Sequence, residues 1–196
     1  MSGTVDKVYS SPEWLITMAA RVCHGNEYQP PDDDKDKALI KKLLKFKHMK
    51  PFDFPTITWR VALPIYVERQ FRVYRSMTAL ELSMRSNAPM EYVPYKNGLI
   101  PPPMSTALEA YDDMRSKGCP REVARAVLPV GSFTTIICQF TARGALHMFD
   151  ERLTKEAQRE TRLYAQLMFE QFEQAFPFTA EAYKELNPEL LYEKGI

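Results

Sequence analysis

The stretch from Pro64 to Ser86 brings together side chains that bind anions and donate hydrogen bonds. It holds four arginines, Arg69, Arg72, Arg75 and Arg85, in a chain whose formal net charge is only +1. A planar guanidinium group offers paired donors to phosphate or carboxylate oxygens, so such a cluster suits a small anionic ligand. Nucleic-acid binding is disfavoured because it usually requires a basic domain. The charged, solvated face of an amphipathic helix is the structural alternative for the same residues.

The composition is that of a soluble globular protein, with 45% apolar and 26% charged residues among 196. A chain of this length can bury the core of one domain, so we expect a single domain over residues 1–196. No apolar run approaches the ~20 residues of a membrane span, and the N-terminus lacks a secretory pattern, so no membrane partner is expected. Three distant cysteines and three scattered histidines predict a cytoplasmic protein without disulfides or a metal site.

The hydrophobic patterns predict an α+β fold that is mostly helical with a small antiparallel sheet. β-Branched and aromatic residues predict two strands, over 55–63 and 131–143. Ser11, Pro12 and Glu13 resemble a helix start with a cap, a first-turn proline and an acidic residue. The other predicted helices cover 35–46, 65–75, 105–118, 119–129 and 145–176, the last bent near Thr154, and a short one follows Pro177. Between Thr78 and Pro94 a turn or short helix and an extended segment are expected.

The order of residues in the arginine-rich stretch resembles the signature of the flavin-dependent thymidylate synthases. That signature is Arg-His-Arg, seven residues, then Ser, with a further Arg two positions on. Arg75, Ser83 and Arg85 match it, whereas Val73 and Tyr74 occupy the first two positions. Four further segments resemble the same family in the same order: 19–23, 48–54, 118–129 and 142–162. The resemblance covers about residues 15–180 and identifies the chain as a divergent member of that family.

The resemblance implies a fold like that of this family and an enzyme with several small ligands. Such an enzyme uses FAD, with NADPH and methylenetetrahydrofolate as co-substrates, and converts deoxyuridine monophosphate into thymidylate by transfer of a one-carbon unit to C5. No cysteine nucleophile is needed for this methyltransferase chemistry. The chain has no G-x-G-x-x-G cradle for FAD. The resemblance implies instead that the flavin site lies between the subunits of a homotetramer.

The resemblance also assigns candidate site residues. Residues expected to bind the nucleotide are Gln70, Glu81, Ser83, Met84, Arg85 and Arg162, and Arg162 is also the candidate catalytic residue. Residues expected to bind the cofactor are His48, Lys50, Arg72, Tyr74, Arg75, Asp150 and Arg152. No metal ligand is expected.

Three departures from the family pattern, Val73, Tyr74 and Thr135, lie at positions where the family binds its ligands. Each lost arginine removes a charged hydrogen bond of about 1.5–3 kcal/mol unless another group replaces it. Arg72 is the nearest substitute, but on a helix it lies about 100° away from position 73, so weak flavin binding is expected. The double change Val73→Arg with Tyr74→His should then tighten FAD binding. Two alternatives to a thymidylate synthase remain open. One is a related enzyme that hydroxymethylates the nucleotide or accepts deoxycytidine monophosphate, and the other is a non-catalytic nucleotide-binding homologue.

Overall fold

The computed structural model describes residues 3–23, 25, 31–87 and 102–192. The strands are β1 (Thr4–Ser10), β2 (Thr56–Pro64), β3 (Met77–Glu81) and β4 (Phe133–Thr141). The helices are α1 (Leu15–Val22), α2 (Asp33–Lys45), α3 (Ile65–Phe71), α4 (Pro102–Ser116), α5 (Arg121–Ala124), α6 (Ala142–Arg152), α7 (Arg159–Ala175) and α8 (Pro177–Leu186). Two 3-10 turns cover Lys50–Asp53 and Arg125–Val127. The predicted α+β fold, mostly helical with a small antiparallel sheet, is confirmed.

The four strands form one sheet in the order β1-β2-β4-β3. The two central strands are those predicted from the sequence, and both carry large buried side chains. The rings of Trp59 and Phe140 meet edge to face with centroids 6.0 Å apart, which is one of the arrangements that aromatic pairs prefer. Next to them the Gln139 side chain donates to the Thr58 hydroxyl over 3.1 Å. The edge strands β1 and β3 were not predicted, because most of their residues are exposed and show no regular alternation.

The described residues fall into two compact units, which are treated separately below. The first unit consists of residues 3–6, 60–73, 79–87 and 102–137. The second consists of residues 7–59, 74–78 and 138–192, apart from the gaps given above. The chain passes from the first unit to the second between Val73 and Tyr74, within the altered signature.

Phenylalanine side chains from α6, α7 and the residue before α8 form much of the core of the second unit. The Phe149 ring lies 5.0 Å from that of Phe169 and 5.3 Å from that of Phe172, while Phe172 lies 4.9 Å from Phe176. Each aromatic pair of this kind contributes about 0.5–1.5 kcal/mol beyond the burial of its area. The predicted bend near Thr154 is confirmed, because α6 ends at Arg152 and α7 begins at Arg159.

Glu13 stabilises the start of a different helix from the one predicted. Helix α1 begins at Leu15 without a side-chain cap or an acidic residue in its first turn. The Glu13 carboxylate instead accepts hydrogen bonds from the backbone N–H groups of Phe178 (3.2 Å) and Thr179 (2.7 Å), in the first turn of α8. These N–H groups have no partner within their own helix, and a carboxylate there also opposes the helix dipole.

In the first unit, α3 is shorter than predicted. The expected helix to Arg75 ends at Phe71, and Arg72 closes it with an N–H bond to the Glu68 carbonyl. Val73 was expected to be partly buried but is 64% exposed, because it lies beyond the helix and outside its buried face. The residues that follow enter β3, and the Leu82 N–H donates to the Thr135 carbonyl at 2.8 Å. Pairing with a neighbouring strand therefore overrides the helical pattern.

Candidate functional site

Five of the six nucleotide candidates lie in the first unit. Gln70 is in the last turn of α3, Glu81 ends β3, and residues 83–85 follow in a short turn. The sixth, Arg162, belongs to the second unit, in the first turn of α7. The segment just after Asn87, where an extended run was expected, lies outside the described residues.

Arg72 binds two carboxylates of its own unit. Its Nε donates to Glu68 Oε1 and its Nη2 lies 3.2 Å from Glu81 Oε2. The Glu68 side chain is only 4% exposed, and burial raises its pKa while the Arg72 charge opposes that change. Because an unpaired buried carboxylate is costly, Arg72 serves as the counter-ion of Glu68 and holds Glu81 at the strand end. Its predicted contact with the flavin stays a prediction.

The turn that begins at Ser83 presents an arginine and a hydroxyl at the surface. The Ser83 carbonyl accepts the N–H groups of Ser86 and Asn87 at 3.2 and 3.1 Å, and its hydroxyl accepts the Arg85 N–H at 3.4 Å. Arg121 Nη1 donates to the Ser86 carbonyl at 2.9 Å and fixes the far side of the turn. Backbone amides and a hydroxyl in a fixed turn are suitable phosphate ligands.

The side chain of Arg85 makes an ion pair that a ligand can replace. Arg85 Nε lies 3.2 Å from Glu122 Oε2, and the two side chains are 68% and 52% exposed. Such a surface pair contributes about 0–1 kcal/mol to stability. A phosphate group can therefore displace Glu122 at little cost, because it offers more oxygen acceptors and more charge.

The second unit contains a cavity of about 520 Å³ with an apolar wall and a basic rim. Two predicted cofactor residues, His48 and Lys50, line it, and Arg143 lies on the same wall. The Asp53 carboxylate lies between the two exposed cations and accepts from Lys50 Nζ at 3.2 Å and from Arg143 Nη1 at 3.3 Å. The remaining lining residues are Ala20, Arg21, Cys23, Leu39, Leu43, Lys47, Met49 and Pro51.

Arg21 and Arg143 were not among the site residues predicted from the sequence, although both lie in segments that carried the resemblance. Arg21 Nη2 pairs with Asp36 Oδ1 at 2.6 Å, and the Asp36 side chain is only 4% exposed. Arg21 is thus held against α2, which forms part of the cavity wall. A basic residue within a matched segment was the available signal for both arginines.

Tyr74 is buried, with 6% of its surface exposed, and its hydroxyl donates to Glu151 Oε2 at 2.8 Å. The guanidinium carbon of Arg152 lies 5.5 Å from the centre of the Tyr74 ring. The second unit therefore brings together two predicted cofactor residues, Tyr74 and Arg152. Arg75 is exposed in the same unit, and its side chain makes no ion pair with the part of the chain that the structure describes.

Asp150 and Arg162 are each bound by other groups of the second unit. The hydroxyl of Tyr183 donates to Asp150 Oδ1. Although Asp150 is partly exposed, burial around this carboxyl group raises its pKa, and the bond from Tyr183 opposes that change. Arg162 Nη1 donates to the carbonyls of Thr154, Lys155 and Ala157 at 3.1–3.2 Å. Arg162 thereby fixes the connection between α6 and α7.

Two classes of feature are absent from the described ranges. Within residues 3–23, 25, 31–87 and 102–192, no three His, Cys, Asp or Glu side chains are arranged to hold a metal ion. No helix in these same ranges is both long and apolar enough to cross a bilayer.

A family model described as thymidylate synthase complementing protein matches residues 5–178. A flavin-dependent thymidylate synthase from Thermotoga neapolitana is 31% identical, over 84% of this chain and 82% of its own length. One from Pseudothermotoga lettingae is 30% identical, over 87% and 85%. Among solved structures, a UMP/dUMP methylase, PolB from Streptomyces cacaoi bound with 5-Br dUMP, superposes with a TM-score of 0.84. It is 26% identical, and the match covers 94% of this chain and 95% of PolB.

Proposed function

Because this chain belongs to the thymidylate synthase complementing protein family, alongside flavin-dependent thymidylate synthases, we propose that it methylates deoxyuridine monophosphate. The family and the methyltransferase type of enzyme predicted from the sequence are thereby confirmed. The proposed reaction transfers a one-carbon unit from methylenetetrahydrofolate to C5 of the uracil ring and yields thymidylate. The observation that carries this proposal is the turn at Ser83, which internal hydrogen bonds and Arg121 fix and which carries the exposed Arg85 side chain.

In this proposal the nucleotide phosphate binds at the Ser83 turn. Arg85 exchanges its surface pair with Glu122 for the phosphate, while the Ser83 hydroxyl and the amide at Met84 donate to the remaining oxygens. Gln70 and Glu81 orient the base and sugar, and Arg72 keeps the Glu81 carboxylate in a constant position.

Arg162 is the proposed catalytic residue. Its Nη1 binds three backbone carbonyls, which orients the guanidinium plane before any ligand arrives. A donor fixed in this way is suited to the uracil carbonyl edge, because a preorganised group loses little entropy when charge develops on the base.

The residues of the second unit fit an anionic cofactor. The cavity combines apolar walls with the cations Lys50 and Arg143, and His48 also lines it, which suits a flavin nucleotide with its diphosphate. Bound FAD would supply a hydride after reduction by NADPH. His48, Lys50, Arg75, Asp150 and Arg152 would hold it, and Tyr74 would act from the buried side.

The proposal includes a cytoplasmic homotetramer in which the flavin lies between subunits. Its support is the resemblance to the family. A form that binds no FAD as a monomer and recovers FAD binding on association would agree with the proposal.

A second candidate function is methylation of a different pyrimidine nucleotide. Thr135 occupies the place of a nucleotide-binding arginine in the family, and its carbonyl anchors the start of the Ser83 turn through the Leu82 N–H. The loss of this charge next to the proposed phosphate site changes the contacts available to the nucleotide. PolB, which superposes well, is described as a UMP/dUMP methylase.

The deciding experiment measures the product mass after incubation with FAD, NADPH, methylenetetrahydrofolate and one nucleotide at a time. Deoxyuridine, uridine and deoxycytidine monophosphates are compared, and we expect thymidylate from the first. A hydroxymethylated product, or turnover of another nucleotide alone, would establish the second kind of enzyme. A colourless protein that binds no added FAD would contradict both and leave a non-catalytic homologue.

A binding experiment tests the phosphate site directly. Arg85→Ala should weaken binding of deoxyuridine monophosphate by about 1.5–3 kcal/mol, the value of a charged hydrogen bond. Arg60→Ala is the matched control, because Arg60 also makes an exposed ion pair, 3.9 Å from Asp6, in the same unit. Equal affinities of the Arg85 variant and the wild type, by calorimetric titration, would refute the assigned phosphate site.

A further inference from the structure

The ring of Tyr74 is surrounded by protein. It lies 6.2 Å from the Phe140 ring and 5.7 Å from the His147 ring, the latter at an interplanar angle of 89°. Arg152 approaches the ring to 5.5 Å. With 6% of its surface exposed, Tyr74 has no free face on which a flavin or pterin ring could stack.

The partners of Tyr74 come largely from one helix and share Glu151. His147, Glu151 and Arg152 all belong to α6. Glu151 Oε2 accepts from the Tyr74 hydroxyl and lies 3.9 Å from Arg152 Nη2, while Glu151 Oε1 lies 3.7 Å from His147 Nε2. The tyrosine thus contacts Arg152 twice, directly through its ring and indirectly through Glu151.

The backbone around Tyr74 is fixed against the same helix. The Tyr74 carbonyl accepts the Met77 N–H at 3.0 Å and closes a turn. A Cβ at Gly144, in the first turn of α6, would clash with Ser76 Oγ and lie 2.7 Å from Ser76 Cβ. Only a glycine permits this approach, so the turn that carries Tyr74 and the helix that carries Arg152 keep a constant spacing.

We propose that Tyr74 is a positioning residue that sets the orientation of the Arg152 guanidinium group for flavin binding, without itself contacting the flavin. The inference rests on the proposed function, because it takes Arg152 as a flavin ligand. The aromatic face restricts where the guanidinium plane can lie, and Glu151, held by the Tyr74 hydroxyl, restricts its rotation. Arg152 has an 18% exposed side chain, so part of it remains accessible to a ligand.

Tyrosine suits this role across the physiological pH range. Burial and the bond to Glu151 raise the pKa of Tyr74 above its ordinary value of 10.0, so its hydroxyl remains a donor. The groups that face it are Glu151, Arg152 and His147 from α6. A histidine at this position would change charge near neutral pH beside Arg152, whereas the tyrosine does not.

A double-mutant cycle on FAD affinity tests the proposal. Tyr74→Phe keeps the ring and removes the hydroxyl, and we expect the FAD dissociation constant to rise about fivefold, as for one lost hydrogen bond. Arg152→Gln should weaken FAD binding more strongly. In that background, Tyr74→Phe should have no further effect on FAD affinity, although it still lowers the melting temperature.

Tyr164→Phe is the matched control, because it removes a hydroxyl from an equally buried tyrosine of the same unit. We expect it to leave FAD affinity and the visible circular dichroism of the bound flavin unchanged, whereas Tyr74→Phe alters both. Equal FAD affinities of wild type and Tyr74→Phe would overturn the positioning role alone. Equal losses in the two backgrounds would overturn it too, since Tyr74 would then act independently of Arg152. A wild-type protein that binds no FAD would overturn the proposed function together with this inference.

Discussion

Arg72 and Tyr74 are two positions apart in the signature, yet they belong to different compact units and to polar networks of opposite kinds. Arg72 has a 45% exposed side chain and neutralises a buried carboxylate, that of Glu68. Tyr74 is itself buried and binds Glu151, a carboxylate whose side chain is 47% exposed. In the Arg72 network the buried group is the charged carboxylate of Glu68, and its partner is exposed to water. In the Tyr74 network the buried group is the uncharged hydroxyl of the tyrosine.

The two networks are therefore expected to lose different amounts of stability when one of their members is substituted. Removing the partner of a buried charge costs stability, because the charge remains without compensation. Removing the buried hydroxyl next to an exposed carboxylate costs less stability, because water can solvate the carboxylate. The Arg72 network is therefore expected to control folding, and the Tyr74 network is expected to control the geometry of a ligand site.

The largest expected effect is that of Arg72→Met. Since Glu68 would stay buried without its counter-ion, we expect the free energy of unfolding to fall by about 2 kcal/mol, measured by urea denaturation. Glu68→Gln in the same chain should recover most of that loss. Arg60→Met, whose partner Asp6 is exposed, is the control and should change stability by less than about 0.5 kcal/mol. Equal losses in the two arginine variants would remove the proposed contrast between buried and exposed partners.

A smaller effect is expected from Gly144→Ala, which tests how firmly the Tyr74 side is held. Alanine favours a helix over glycine by about 1 kcal/mol, but its Cβ would lie 2.7 Å from Ser76 Cβ. Overpacking of this kind typically costs about 1–3 kcal/mol, so we expect a net loss of about 1 kcal/mol.

Ser76→Gly in the Gly144→Ala background should relieve the contact and return the melting temperature close to that of the Ser76→Gly protein. If Gly144→Ala is instead stabilising, the turn at Tyr74 can move away from α6, and the fixed spacing assigned to it is wrong.

The two networks should also differ in their pH dependence. The pKa of Glu68 is raised above its ordinary 4.5 by burial, so the folded protein holds this proton more tightly than the unfolded chain. Its contribution to stability is fully present below pH 4.5 and is lost as the pH rises through the raised value.

The unfolding free energy of wild type, relative to that of Glu68→Gln, should therefore fall as the pH rises above 4.5. Tyr74 stays protonated through this range, so the difference between wild type and Tyr74→Phe should show no such slope from the tyrosine itself. A wild-type stability that runs parallel to that of Glu68→Gln from pH 4 to pH 8 would show that burial of Glu68 is compensated fully by Arg72.

The smallest expected effect on folding is that of Val73→Arg, which separates the two halves of the double reversion. Val73 is 64% exposed, so the free energy of unfolding should change by less than about 0.5 kcal/mol. We expect this change alone to tighten FAD binding, since it restores an exposed cation. Tyr74→His should weaken FAD binding, because the shorter side chain loses the bond to Glu151. Tighter binding by Tyr74→His alone, in fluorescence titrations, would contradict the role assigned to the buried tyrosine.

The central elements of the fold could be predicted from the sequence because their patterns were local. Strands β2 and β4 carry dense β-branched and aromatic residues, and the break between α6 and α7 falls near Thr154, where a bend was predicted. Strand β3 could not be predicted, since its residues Met77–Glu81 are mostly exposed and take their conformation from a neighbouring strand. Glu13 was assigned to the nearest helix, but it binds the start of α8, more than 160 residues away.

The site residues were predictable by type and only partly by role. The resemblance selected Arg72 as a substitute for the arginine missing at position 73, on the assumption of a continuous helix to Arg75. The helix ends at Phe71, and the guanidinium group of Arg72 binds two carboxylates. Burial distinguishes Tyr74 from its neighbours, and nothing in the spacing of the signature indicates burial. The Arg162 contacts likewise depend on the path of the connection after α6.

The close approach between Gly144 and Ser76 places the turn that carries Tyr74 against α6, so substitutions on the two sides of this contact constrain each other. Position 73 is exposed and can gain or lose an arginine at any stage, with little effect on folding. Position 74 is enclosed by residues of α6, and its hydroxyl donates to the Glu151 carboxylate. Substitutions at 74 and 151 are therefore expected to be non-additive in their effects on stability. Two adjacent residues of one motif are thus subject to different structural constraints, one exposed and one enclosed by protein.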